Sequence, residues 1–196
     1  MLAVAPFAKE TRMPLRIRPL PLVALVALVA ATAEAQPRGL MADLAKDVAE
    51  VEGKIVGLAN AIPESAWSWR PGPGVRSVAE VFTHVAADNY FMPAALGTPA
   101  PAAVGISGTD YKTVGVYEGK ARSRAEIVAE VQQSFAFLKQ AMAAAPADKL
   151  GASMKVFGQE TTLQAMWITT ATHLHEHLGQ LIAYARSNKV VPPWSK

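Results

Sequence analysis

Three of the chain's four histidines fall within five residues, in the stretch THLHEHLGQLIAYAR from Thr172 to Arg186. Neutral imidazole is the commonest protein ligand for a transition metal, and it titrates near neutral pH. Residues four apart in an α-helix lie about 40° apart around its axis. His173 and His177 therefore point the same way, one turn apart, and their ring nitrogens can converge on one ion. His175 lies about 200° round from His173 by the same geometry and is left out of the pair. The remaining histidine is His84, in EVFTHVAADNYF, with no second histidine four residues on. A lone histidine within a helix is more often a core or surface residue than a ligand. A histidine pair on a second helix changes that reading. Three imidazoles from two packed helices form an open site that leaves a position for water or substrate.

Other histidine chemistry fits less well. A zinc-protease HExxH motif beginning at His175 needs a histidine at position 179, where Gly179 stands. No G-x-S-x-G elbow is present to supply a serine nucleophile. The chain has no cysteine. That removes disulfides, a thiolate nucleophile, cysteine zinc sites and lipid attachment through a cysteine.

The elements that must position these histidines read as helices. Apolar residues make up 51% of 196 residues, alanine is abundant and β-branched runs are few, so the class is all-α in one domain. Leu40, Leu44, Val48, Val51, Ile55 and Leu58 recur at three- and four-residue steps, which predicts a first helix from Leu40 to Ala61. IPESAWSWRPGPGVRS breaks it with three prolines and two glycines. Ser77-x-x-Glu80 is a capping box that opens a second helix to about Leu96, with Pro93 placed to kink or end it early. Residues 97–122 read as a long Gly/Pro/Ala-rich connection, of the length expected for a crossover or a functional loop. Ser123-x-x-Glu126 opens a third helix to about Ala145. A connector follows, with a short extended piece at 153–157. Thr161-x-x-Gln164 caps a fourth helix that ends near Ser187, before VVPPW. Four helices with long connections predict a four-helix bundle.

The first 35 residues read as a signal peptide and not as part of the fold. Arg16 and Arg18 form a positive start, Leu20 to Ala31 is a short apolar stretch, and Ala33-Glu34-Ala35 is a cleavage pattern before Gln36. The apolar stretch is shorter than the ~20 residues of a membrane span. Met13 makes a better beginning than Met1, so residues 1–12 read as an over-extended start. The expected location is secreted or periplasmic, with no membrane attachment after cleavage. The whole chain has 19 basic and 16 acidic residues; residues 1–35 hold four and two of them, leaving 15 and 14, a net charge of +1. That balance gives no electrostatic reason to bind nucleic acid.

WRPGPGVRSVAEVFTHVAADNYF, KVFGQETT and ATHLHEHLGQLIAYAR together resemble the DinB-like superfamily, over about residues 38–194. The strongest marker is a histidine in the second helix plus H-x-x-x-H-x-G-Q in the last: His84, then His173, His177, Gly179 and Gln180. The resemblance implies a four-helix bundle with a long crossover connection. It also implies a three-histidine site for one divalent metal, with water completing the shell. The superfamily includes metal-dependent thiol transferases acting with bacillithiol or mycothiol, and related isomerases.

Other residues take expected places around that site. Asp88, one turn after His84, is a candidate partner of the histidines or fourth ligand, against the plain reading of a solvated helix charge. Phe91, on the same face, is expected in the core or a pocket wall. Gln180 can orient His177 through its amide, and Gly179 would permit close helix approach. Glu176 is expected on the surface, and His175 facing solvent or a second copy of the chain in a homodimer. Trp67, Trp167 and Trp194 read as packing anchors. Imidazole donors without thiolate point to zinc or nickel ahead of iron or manganese. The expected activity is a metal-dependent hydrolase or transferase on a small molecule, the alternative being a non-catalytic metal- or ligand-binding bundle.

Overall fold

The computed structural model of the chain describes residues 39–195. The signal-peptide reading of residues 1–35 and the start at Met13 lie outside the described residues. The elements in order are α1 (Leu40–Ala61), α2 (Val78–Ala95), α3 (Lys112–Glu118), α4 (Arg124–Ala143), β1 (Ser153–Val156), β2 (Gln159–Thr162) and α5 (Leu163–Ser187). Among the described residues no helix is long and apolar enough to cross a membrane.

Local sequence explains the helix starts. Ser77 Oγ accepts from the Glu80 N–H at 3.2 Å, and Glu80 Oε2 accepts from the Ser77 N–H at 2.7 Å. Ser123 and Glu126 repeat the arrangement at the start of α4. Each box satisfies two backbone donors that a bare helix end leaves open. Pro93 does not end α2 early, since the helix continues to Ala95. The last helix is capped one residue later than the sequence pattern suggests. Thr162 is the last residue of β2, opposite Ser153, and its Oγ1 accepts from the Ala165 N–H at 3.1 Å.

The four long helices share one core. The neighbouring pairs are α2 with α4, α1 with α5, α1 with α4 and α2 with α5, so α1 faces α2 and α4 faces α5 across the diagonals. Residues 97–122, expected as a crossover or a functional loop, therefore join the neighbours α2 and α4 and are not the crossover. The diagonal steps are made by residues 62–77 and 144–162. Nor is 97–122 wholly irregular, because it carries α3. Its approach to the end of α2 requires glycine: a Cβ at Gly108 would lie 2.2 Å from the Ala94 backbone. The expected extended piece at 153–157 is half of a hairpin, β1 pairing antiparallel with β2.

Helix α2 is the central element and is buried on all faces from Val81 to Pro93. Its polar side chains must find partners inside the protein. Thr83 donates to the Ala79 carbonyl at 3.0 Å, and Asn89 donates to Ser134 Oγ of α4 at 3.1 Å. His84 and Asp88 find theirs in the site described below. Trp67 anchors the α1–α2 connection, stacking on Phe82 with 5.1 Å between ring centroids and donating to the Ile62 carbonyl. Trp167 is buried, and its indole N–H has no hydrogen-bond partner among the described residues. Trp194 is half-exposed and lies over Gly57.

Candidate metal centre

The packing of α2 on α5 brings His84 and Asp88 against His173 and His177. Asp88 Oδ2 lies 3.1 Å from His84 Nε2 and 2.8 Å from His173 Nε2, and His173 Nε2 lies 3.0 Å from His177 Nε2. One ligand atom from each of the four residues lies within 4.8 Å of all the others. His84, Asp88 and His177 are buried, while His173 is half-buried.

The other ring nitrogens are all engaged from outside. Glu118, at the end of α3, lies with Oε1 2.5 Å from His84 Nδ1, and its Oε2 is 3.6 Å from the Arg76 guanidinium. Burial alone pushes the Glu118 carboxyl up, but the bonds to His84 and the Arg76 charge outweigh it and hold the group below its usual range. His173 Nδ1 lies 3.3 Å from the exposed Glu176 carboxylate. His177 Nδ1 lies 3.0 Å from Gln180 Oε1.

The Gln180 contact is fixed by a directional chain. The Arg76 carbonyl can only accept, so the Tyr184 hydroxyl 3.1 Å away donates to it. The Tyr184 oxygen is then free to accept from Gln180 Nε2 at 3.0 Å. That turns Gln180 Oε1 toward His177, where it accepts the Nδ1 proton. Carboxylates do the same for His84 and His173. In the tautomer these outer acceptors favour, each neutral ring carries its proton on Nδ1 and turns the lone pair of Nε2 to the centre, while Asp88 competes for the His173 proton from the Nε2 side, at 2.8 against 3.3 Å.

The centre therefore collects acceptors: three imidazole lone pairs and a carboxylate. A proton answers part of this demand. The bond to Asp88 raises the His173 pKa above its ordinary value, although burial opposes it. Burial, above all, pushes His177 down, with Gln180 opposing and the neighbouring histidines adding to the fall. A divalent cation answers all of the demand. Donor atoms about 2.1 Å from one ion sit about 3.0–3.4 Å apart around an octahedron or tetrahedron, and the three spacings above, 2.8–3.1 Å, are close to that. This His/Asp set can hold one metal ion.

The family model of the DinB superfamily matches residues 48–181, well over half of the chain. The chain belongs to the DinB superfamily. Solved structures agree at the level of fold. A DinB-like protein from Bacillus subtilis is 13% identical, with a TM-score of 0.59 over 79% of this chain and 97% of that chain. A DinB-like protein from Bacillus cereus is also 13% identical, with a TM-score of 0.60 over 76% of this chain and 93% of that chain. No curated protein matches the chain.

In this DinB superfamily member two of the four metal-candidate side chains, Asp88 and His173, line a cavity of about 590 Å³. Phe91, Met92, Val156 and Met166 give it apolar walls, and Tyr111 and Phe157 stand at its exposed side. Burial, with the Asp88 and Glu118 charges adding, raises the pKa of the Tyr111 phenol and keeps it protonated.

His84, His173 and His177 are thus brought together, with Asp88 among them, not solvated. Gln180 reaches His177 as expected, and Phe91 forms a cavity wall. His175 lies outside the cluster and pairs with Asp47 of α1 at 2.8 Å. Glu176 is exposed as expected, yet touches His173. The expectation for Gly179 does not hold, because a Cβ there would meet nothing within 4 Å. Sequence reasoning missed Glu118, which lies in a stretch read as loop and carries no motif. It also missed Tyr184, which was legible: it falls seven residues after His177, on the same helix face.

Proposed function

We infer that the chain binds one divalent metal through His84, His173 and His177, with Asp88 as fourth ligand or direct neighbour, and acts with it on a small molecule held in the adjoining cavity. The observation that supports this reading most is the convergence of three histidine Nε2 atoms and a carboxylate beside a 590 Å³ cavity that Asp88 and His173 line. That volume is in the range of small-ligand sites. A bound ion would supply Lewis-acid chemistry for a hydrolysis or a group transfer. The chain's own residues orient the rings from outside, through Glu118, Glu176 and Gln180. The apolar walls offer a non-polar surface to the body of a ligand, and Tyr111 offers a protonated hydroxyl at the mouth. Zinc or nickel suits the imidazole donors best. The architecture is read as a four-helix bundle in the long-connection arrangement of the family. The pattern of residues 1–35 supports export, so the site would work outside the cytoplasm. The near-neutral remainder supports neither nucleic acid nor membrane as partner.

Metal titration of four single variants tests the site. His84→Ala, His173→Ala and His177→Ala should each weaken zinc binding greatly, whereas His175→Ala should leave it unchanged. The comparison of His84 with His175 is decisive, since His84 lies about ninety residues away in sequence and His175 two. Equal losses at His175 and His173, or none at His84, would refute the site.

A further inference from the structure

Phe157 occupies a position where an aromatic side chain is disfavoured. Val156 pairs with Gln159, so Phe157 and Gly158 form a two-residue turn, and both have positive φ, 51° and 79°. Turns of this kind favour Asn-Gly, because Asn tolerates the left-handed region and a bulky residue does so at a cost. Burial does not offset that cost, since Phe157 is 64% exposed. Strain held at an exposed site points to a function. The ring stacks on Phe91, 5.8 Å away and 24° from parallel, at the edge of the cavity beside the histidines. Tyr111 stands edge-on to both rings, at 5.1 and 6.1 Å, and is itself 53% exposed. Two exposed aromatic rings from two different connections thus flank one cavity. Its lining has two carboxylates, Asp88 and Glu160, and no lysine or arginine.

We propose that the cavity takes an aromatic small molecule whose end remote from the histidines carries no negative charge, with Phe157 and Tyr111 selecting it. The proposal rests on the reading of the site as a metal centre acting on a small molecule, and names its substrate class. Phe157 and Tyr111 present ring faces and edges to the ligand's ring. An anionic tail would enter an apolar space with Glu160 beside it and no lysine or arginine in the lining.

The test uses the full zinc-loaded chain and three probes with one metal-binding head: acetohydroxamic acid, phenylacetohydroxamic acid and succinic acid monohydroxamate. Affinities are read by calorimetry. The phenyl probe should bind about tenfold tighter than the head alone, as burial of one ring predicts. The carboxylate probe should bind no tighter than the head. Phe157→Asn suits the turn, so its Tm should be unchanged or higher. It should keep the affinity for acetohydroxamic acid and lose most of the phenyl advantage. A phenyl advantage that is absent from the wild type, or retained in Phe157→Asn, overturns the proposal. So does a carboxylate probe that matches the phenyl probe, or a Phe157→Asn protein less stable than the wild type. If acetohydroxamic acid itself does not bind, the metal reading fails, and benzyl alcohol on the metal-free chain decides instead. Phe157-dependent saturation transfer in its NMR spectrum sustains the aromatic site, and its absence overturns it.

Discussion

Tyr184→Phe should weaken metal binding although Tyr184 touches no ligand atom. Its hydroxyl holds the Gln180 amide in one orientation by donating to the Arg76 carbonyl and accepting from Gln180 Nε2. Without it, the amide can turn and offer Nε2–H to His177 Nδ1. The His177 proton then moves to Nε2, the nitrogen that faces the centre. Loss of a partner that orients a metal-bound histidine costs about 10–100-fold in metal affinity, or about 1.4–2.8 kcal/mol. The folding cost is separate, about 1 kcal/mol for each of the two lost hydrogen bonds. The ring itself stays packed edge-on against Trp69, 5.2 Å away. Zinc competition against a chromophoric chelator at neutral pH measures the first effect, and thermal melts of metal-free protein the second. Gln180→Glu supplies the control, because a carboxylate has only acceptors and cannot be turned the wrong way. Added to Tyr184→Phe, it should restore most of the lost affinity. A Tyr184→Phe protein with wild-type zinc affinity, or a loss that Gln180→Glu cannot repair, would refute the tautomer argument.

N-terminal sequencing of protein from its native host should start at or near Gln36; intact Met1 or Met13 in the soluble cytoplasm would contradict export. Binding to random DNA should be absent at physiological salt, since a net charge of +1 releases few counterions; salt-sensitive micromolar binding in an electrophoretic shift assay would show otherwise. The Glu80 carboxyl is held below its unfolded value near 4.5, first by the Ser77 backbone N–H and then by Arg70, with burial opposing. A depressed folded pKa contributes stability above that unfolded value and loses it as pH falls through the folded one. The Tm difference between wild type and Glu80→Gln should therefore be full at pH 7 and shrink below about pH 4.5; an equal difference at pH 7 and pH 3 would count against it.

The sequence alone determined what local rules govern. The apolar steps of α1, the boxes Ser77/Glu80 and Ser123/Glu126, and the pairing of His173 with His177 and not His175 all depend on the 3.6-residue period or on groups three residues apart. The composition also carried the all-α class, and the stretches around His84, Phe157 and His173 the family resemblance. Tertiary structure decided the rest, because it depends on which surfaces meet. Glu118 reaches His84 only because α3 folds back along α2, 34 residues on in the chain. Asp88 became a neighbour of His173, not a solvated charge, because α2 is covered on every side and a buried carboxylate must be paired. The last helix cap falls at Thr162 and not Thr161 because the hairpin runs through both, and the helix starts only after its last pair, Ser153 with Thr162. Phe157 reads in the sequence as part of a strand, and only the hairpin turned it into a strained, exposed ring beside a cavity.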